Sequence, residues 1–147
     1  MKSGAAIRDK NSKNEPTAVL SSSVNKKITQ ATLGNKEDRS RLIKEQNRLI
    51  IYSVINSPKI TDDEIVAYAG NKKLSKEVPF LISTERGFTK KYMVKVALVN
   101  NPKTPLLTST KFLRHLTGKD LTKVANSKNV PKVLSKTAFK MLINKEK

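Results

Sequence analysis

The side chains with the clearest capacity for chemistry in this sequence are lysines. Lys132, Lys136 and Lys140 recur every four positions, with Lys128 just before them and Lys145 just after. Four residues advance about 400° around an α-helix, so the three form a slowly drifting ridge along one side. Such a ridge can meet the phosphates of RNA or DNA, gaining affinity by counterion release and reading little sequence. Taken alone, it is better described as a solvated helix face. A second basic group surrounds Tyr92: Arg86, Lys90, Lys91 and Lys95, with Arg114 further along. Tyr92 is the aromatic best placed to offer a base a stacking surface. Tyr52, Tyr68, Phe80, Phe88, Phe112 and Phe139 fall mostly on apolar stripes, where core packing explains them.

The wider charge distribution decides between a ridge and a mere face. The chain has 147 residues, 30 of them Lys or Arg and 12 Asp or Glu, a net charge of +18. Residues 1–23 hold four basic and two acidic residues, and residues 24–85 hold eleven and eight. Residues 86–147 hold fifteen and two, a net +13 in 62 positions. That imbalance points to an anionic partner: nucleic acid first, an acidic protein or an acidic surface second.

Other chemistries are poorly supplied. There is no Cys, hence no disulfide framework, thiolate metal site or thiol nucleophile. His115 is the single histidine and reads as a surface or helix-end residue beside Arg114, not as a ligand. The five glycines are isolated, so no phosphate-cradling loop is apparent. Asp62-Asp63-Glu64 is the densest carboxylate group, and helix capping by Thr61 and Glu64 explains it. Asp120 also sits where a helix starts. A non-enzymatic protein without a cofactor is the expectation. No stretch approaches the roughly 20 apolar residues of a membrane span, and the first residues lack the apolar core of a secretory signal, so the expected location is cytoplasmic.

The elements that must position these residues read as helices. Residues 1–23 are mostly polar and net basic, with Met1, Ile7, Val19 and Leu20 as their only large apolar side chains, and are expected to form a disordered tail. From Val24 on, apolar residues recur at three and four, not two, which predicts an all-α domain over 24–147. Helices are expected over 24–33, 36–44, 48–55, 62–69, from near Ser75 through Ile82, over 88–99, 105–116, 119–126 and 131–143. The last should bury a stripe of Val130, Val133, Leu134, Thr137, Ala138, Met141 and Leu142.

The punctuation between helices repeats. Val54-Ile55-Asn56-Ser57-Pro58-Lys59 aligns with Leu98-Val99-Asn100-Asn101-Pro102-Lys103 at an offset of 44. Ala69-Gly70-Asn71-Lys72-Lys73-Leu74-Ser75-Lys76 aligns with Ala125-Asn126-Ser127-Lys128-Asn129-Val130-Pro131-Lys132 at an offset of 56. Asn and Gly close a helix readily and Pro restarts the chain, so each copy reads as a helix end followed by the next helix. A period near 40 residues predicts a short α-α superhelix, or solenoid, of about eight or nine helices.

Glu37…Leu42-Ile43, Pro58-Lys59-Ile60-Thr61-Asp62-Asp63-Glu64, Tyr92 through Pro105 and Lys128-Asn129-Val130-Pro131 together resemble an uncharacterised deltaproteobacterial family of HEAT-like helical repeat proteins. The resemblance spans roughly residues 33–143, and Ala97-Leu98-Val99-Asn100-Asn101-Pro102-Lys103-Thr104-Pro105 carries most of it. It implies an α-α superhelix and brings no catalytic residues. The functional expectation is a helical repeat binding module whose basic C-terminal half contacts nucleic acid through phosphates. The alternative is a protein-interaction scaffold using the concave surface of the repeats.

Overall fold

The computed structural model describes residues 21–145. Most of the expected tail lies outside them; Ser21 caps the first helix, accepting from Val24 N at 3.1 Å, and Ser22 and Ser23 form its first turn. The described residues form ten helices and no strand. In chain order these are α1 (Ser22–Leu33), α2 (Lys36–Leu42), α3 (Arg48–Ile55), α4 (Asp62–Gly70) and α5 (Glu77–Ser83). There follow α6 (Arg86–Thr89), α7 (Tyr92–Val99), α8 (Leu106–Leu113), α9 (Gly118–Ala125) and α10 (Lys132–Lys145). The all-α expectation holds. None of these helices is long and apolar enough to cross a membrane.

Short polar side chains set the helix starts. Asn35 accepts from Asp38 N while Asp38 accepts from Asn35 N, and Thr61 and Glu64 exchange the same pair of bonds. Asn47 and Thr117 cap α3 and α9. Each cap satisfies an orphan amide, an effect of about 1 kcal/mol. Gly34 closes the turn between α1 and α2, where a Cβ would collide with the Asp38 side chain and the Gln30 carbonyl. The apolar faces then assemble one continuous core, from Ala31 and Leu42 through Ile50, Ile65, Val94 and Leu113 to Leu134 and Ala138. Along the chain α1 packs on α3, α3 and α4 on α5, α4 on α7, α7 on α8, and α9 on α10.

Three local expectations are corrected. The single helix expected over 88–99 is two, α6 and α7, broken where Lys91 adopts an extended backbone (ψ 129°). In an unbroken helix Phe88 would share its stripe with Lys91, Tyr92 and Lys95; the break lets Phe88 pack inward while Val94 and Leu98 are fully buried. Val133 leaves the buried stripe of α10 and is 60% exposed, because the stripe centres on Leu134 and Ala138 and Val133 lies about 100° from Leu134. Phe80 is exposed as well, and α5 buries Val78, Pro79, Leu81 and Ile82 instead.

The aligned turns share their hydrogen bonds. Asn56 donates its side-chain amide to Tyr52 O at 3.0 Å, and Asn100 donates to Val96 O at 2.9 Å. Buried Ser57 donates to Thr32 O at 3.4 Å, and buried Asn101 donates to Ala69 O at 2.8 Å. Both also accept from a backbone N–H two residues on, that of Lys59 or Lys103. At the other aligned pair, Asn71 accepts from Lys73 N and Ser127 from Asn129 N.

Candidate nucleic-acid interface

The break at Lys91 has a consequence for charge. Residues 90 and 95, five apart, would diverge by about 140° on a continuous helix. With the backbone extended at Lys91 between α6 and α7, Lys90 and Lys95 instead line the same open cleft. Arg86 of α6, Lys111 of α8 and His115 just beyond α8 line it too, together with Ser83, Thr84, Thr89 and Phe112. Its volume is about 540 Å³, and no carboxylate lines it. The Ser83 and Thr84 hydroxyls donate to Phe80 O and Leu81 O, which ends α5 and leaves their oxygens lone pairs at the rim. Lys111 Nζ lies 5.8 Å from the centroid of the Phe112 ring. A concave wall of cations with no internal counter-charge focuses a positive field on its opening.

The remaining predicted residues divide. Lys91 turns away and pairs with Asp62 at 3.2 Å. Arg114 is exposed at the end of α8 but does not line the cleft. Tyr92, the stacking candidate, has its hydroxyl engaged within the fold. It is half-buried, and its hydroxyl meets the Asp120 carboxylate and accepts from Thr117 N at 3.0 Å. The ring thus ties α7 to the N-terminus of α9.

Lys128 is exposed in the loop before α10, and Lys132, Lys136 and Lys140 are exposed along α10. Lys136 and Lys140 line a second groove, about 270 Å³, with Ala125, Ser135 and Phe139. Phe139, absent from the stripe expected for this helix, is 58% exposed. Lys111, His115 and Phe139 are the residues that sequence reasoning missed. Lys111 and His115 are four apart, the same spacing that singled out the ridge on α10, so a scan for basic side chains over residues 106–115 would have found them.

The carboxylate cluster has a structural role. Glu64 is buried, accepting from Arg39 Nε at 2.7 Å and Nη2 at 3.1 Å, from Thr61 N, and from the Tyr68 hydroxyl at 3.5 Å. Burial alone would raise its pKa, but the hydrogen bonds from Arg39 and Thr61 outweigh it and hold the carboxyl below its ordinary value. The same hydrogen bond raises Arg39 against its own burial. Burial in turn raises the Tyr68 phenol. Arg39 Nη1 donates to Gly34 O at 3.1 Å, so one guanidinium joins the end of α1 to the start of α4.

Compared with known proteins, the chain matches no protein-family model, no curated protein and no solved structure.

Proposed function

We propose that the protein is a non-enzymatic nucleic-acid-binding module whose basic C-terminal half holds phosphates. The supporting observation is the cleft of Arg86, Lys90, Lys95, Lys111 and His115, in which no carboxylate competes for the cations. From Arg86 through Lys140, Lys91 is the one cation in an ion pair among the described residues. A string of phosphates would relieve the mutual repulsion of these side chains and release condensed counterions. Phosphate contacts of this kind position a strand without naming its sequence. The module is read as a short HEAT-like α-α superhelix in a cytoplasmic setting. The matched turns at Asn56-Ser57 and Asn100-Asn101, each tied back to an earlier helix end, support the repeat architecture.

A protein-scaffold reading has its own observation. Leu49, Tyr52, Phe80, Leu106 and Leu107 are exposed, and a depression of about 280 Å³ is lined by Arg48, Lys76, Glu77, Phe80, Lys103 and Pro105. Salt separates the two. Phosphate-led binding of a fluorescent 12-mer should weaken by orders of magnitude between 50 and 200 mM salt, roughly in line with a slope of 0.7–0.9 per phosphate. Lys90→Gln, Lys95→Gln and Lys111→Gln together should lower that slope by about two to three units. No binding of DNA or RNA at low salt would end the nucleic-acid reading and leave the scaffold.

A further inference from the structure

The exposed side of α10 is neither purely basic nor purely apolar. At about 100° per residue, Phe139, Lys132, Ile143, Lys136, Lys140 and Val133 share one arc of about 120°, opposite the buried Leu134 and Ala138. Phe139 is 58% exposed at one edge of that arc, where α10 meets α9. There it walls a groove of about 270 Å³ with Ala125 and Ser135, and Lys136 and Lys140 line the same groove. Ser135 donates its proton to Lys132 O at 3.1 Å, so its oxygen is left as an acceptor at the groove.

An aromatic face in a shallow groove, with a cation one turn before it and another directly after it, suits a strand that offers a flat base and flanking phosphates together. A duplex keeps its bases stacked inside and can use only the cations. We propose that Phe139 is a stacking platform for one unpaired base, with Lys136 and Lys140 on the adjoining phosphates, so that the protein prefers single-stranded to duplex nucleic acid. This rests on the phosphate-binding reading above. An anionic membrane is the less suitable occupant, because a helix lying in a bilayer segregates its apolar and basic faces. Here the lysines lie between Phe139 and Val133, and insertion would bury them.

The test uses the full chain and three fluorescent probes: a thymidine 12-mer, an abasic strand of equal length and charge, and a 12-base-pair duplex. Wild-type protein should bind the thymidine strand more tightly than the abasic one, by roughly 5- to 150-fold, the range for one stacked base. Phe139→Ala should abolish that ratio and leave abasic and duplex affinities unchanged. Phe139 is mostly exposed, so the melting temperature should not move. Equal wild-type affinity for the thymidine and abasic strands overturns the proposal while leaving the phosphate reading intact. So does a Phe139→Ala variant that keeps the ratio. Binding to none of the three probes at low salt overturns both. Phosphatidylserine vesicles form a fourth arm: Phe139-dependent vesicle binding without any base preference assigns the face to a membrane and overturns the proposal.

Discussion

Residues 24–85 hold eleven basic and eight acidic side chains; residues 86–147 hold fifteen and two. In the first region cations meet carboxylates: Lys27 with Glu45, Arg41 with Asp38, Arg48 with Glu77 and, fully buried, Arg39 with Glu64. In the second region Arg86, Lys90, Lys95, Lys111 and His115 are gathered around one cleft that no carboxylate lines. Charge serves cohesion in one region and, on the proposed reading, recognition in the other. Cohesion comes from paired charges, one of them, Arg39 with Glu64, taken out of water; recognition comes from unpaired charges left in it.

The contrast is broken most forcefully at Arg39. Arg39→Met leaves Glu64 buried with its main partner gone, which should cost about 3–5 kcal/mol in urea unfolding. Arg39→Met with Glu64→Leu should cost less than Arg39→Met alone, because no charge is then stranded. The pH dependence has a definite sign. The folded carboxyl of Glu64 titrates below its unfolded value, so its stabilisation is complete above the unfolded value and is lost as pH falls toward the folded one. Glu64→Gln should therefore flatten the acid limb of the stability curve. By contrast, Lys90→Gln with Lys95→Gln should leave stability within about 0.5 kcal/mol or raise it slightly, since both side chains are exposed or half-buried among like charges. If the cleft variant unfolds as readily as Arg39→Met, the division between the regions fails.

How much of this was legible beforehand follows the range of the interactions. The bounds of α3 could be read directly, since Asn47 and Asn56 punctuate a nearly continuous apolar run. The Thr61–Glu64 cap was legible for the same reason: its partners are three residues apart. Arg39 was not, because what buries it lies 25 residues on, and a lone Arg in a charged helix looks solvated. The break between α6 and α7 hides in a run whose composition is helical throughout, so Lys90 and Lys95 were recognised while the cleft they share was not. Val133 shows the limit of spacing arguments: it fits a stripe with Val130 and Leu134, and only the packing of α9 decides which side of α10 is covered.

A smaller effect sharpens the comparison within the basic surface itself. Lys132→Gln, Lys136→Gln and Lys140→Gln together should weaken binding of generic DNA and lower the log–log salt slope, by up to roughly 0.9 for each duplex phosphate no longer neutralised. Lys26→Gln, Lys36→Gln and Lys44→Gln remove the same charge from exposed positions in the other region and should change the slope far less. Equal weakening by the two triples would mean that only net charge matters. No weakening by either would make the ridge on α10 a solvated face.

The finest distinction concerns Tyr92, which stands beside the cleft lysines in sequence but belongs with the cohesive half in its chemistry. Its hydroxyl meets Asp120, accepts from Thr117 N, and so holds the one carboxylate between Arg86 and Lys140 against the start of α9. Tyr92→Phe keeps the ring and its packing and removes only these bonds. The expected cost is about 0.5–1.5 kcal/mol of stability, or somewhat more with a charged partner. Affinity for a thymidine 12-mer should not change, because the hydroxyl that the variant removes is engaged with α9 and is not presented to a strand. Anisotropy and thermal melting on the same sample check both halves of the statement. A fall in affinity with unchanged stability would return Tyr92 to the binding surface and move the boundary between the two uses of charge into α7 itself.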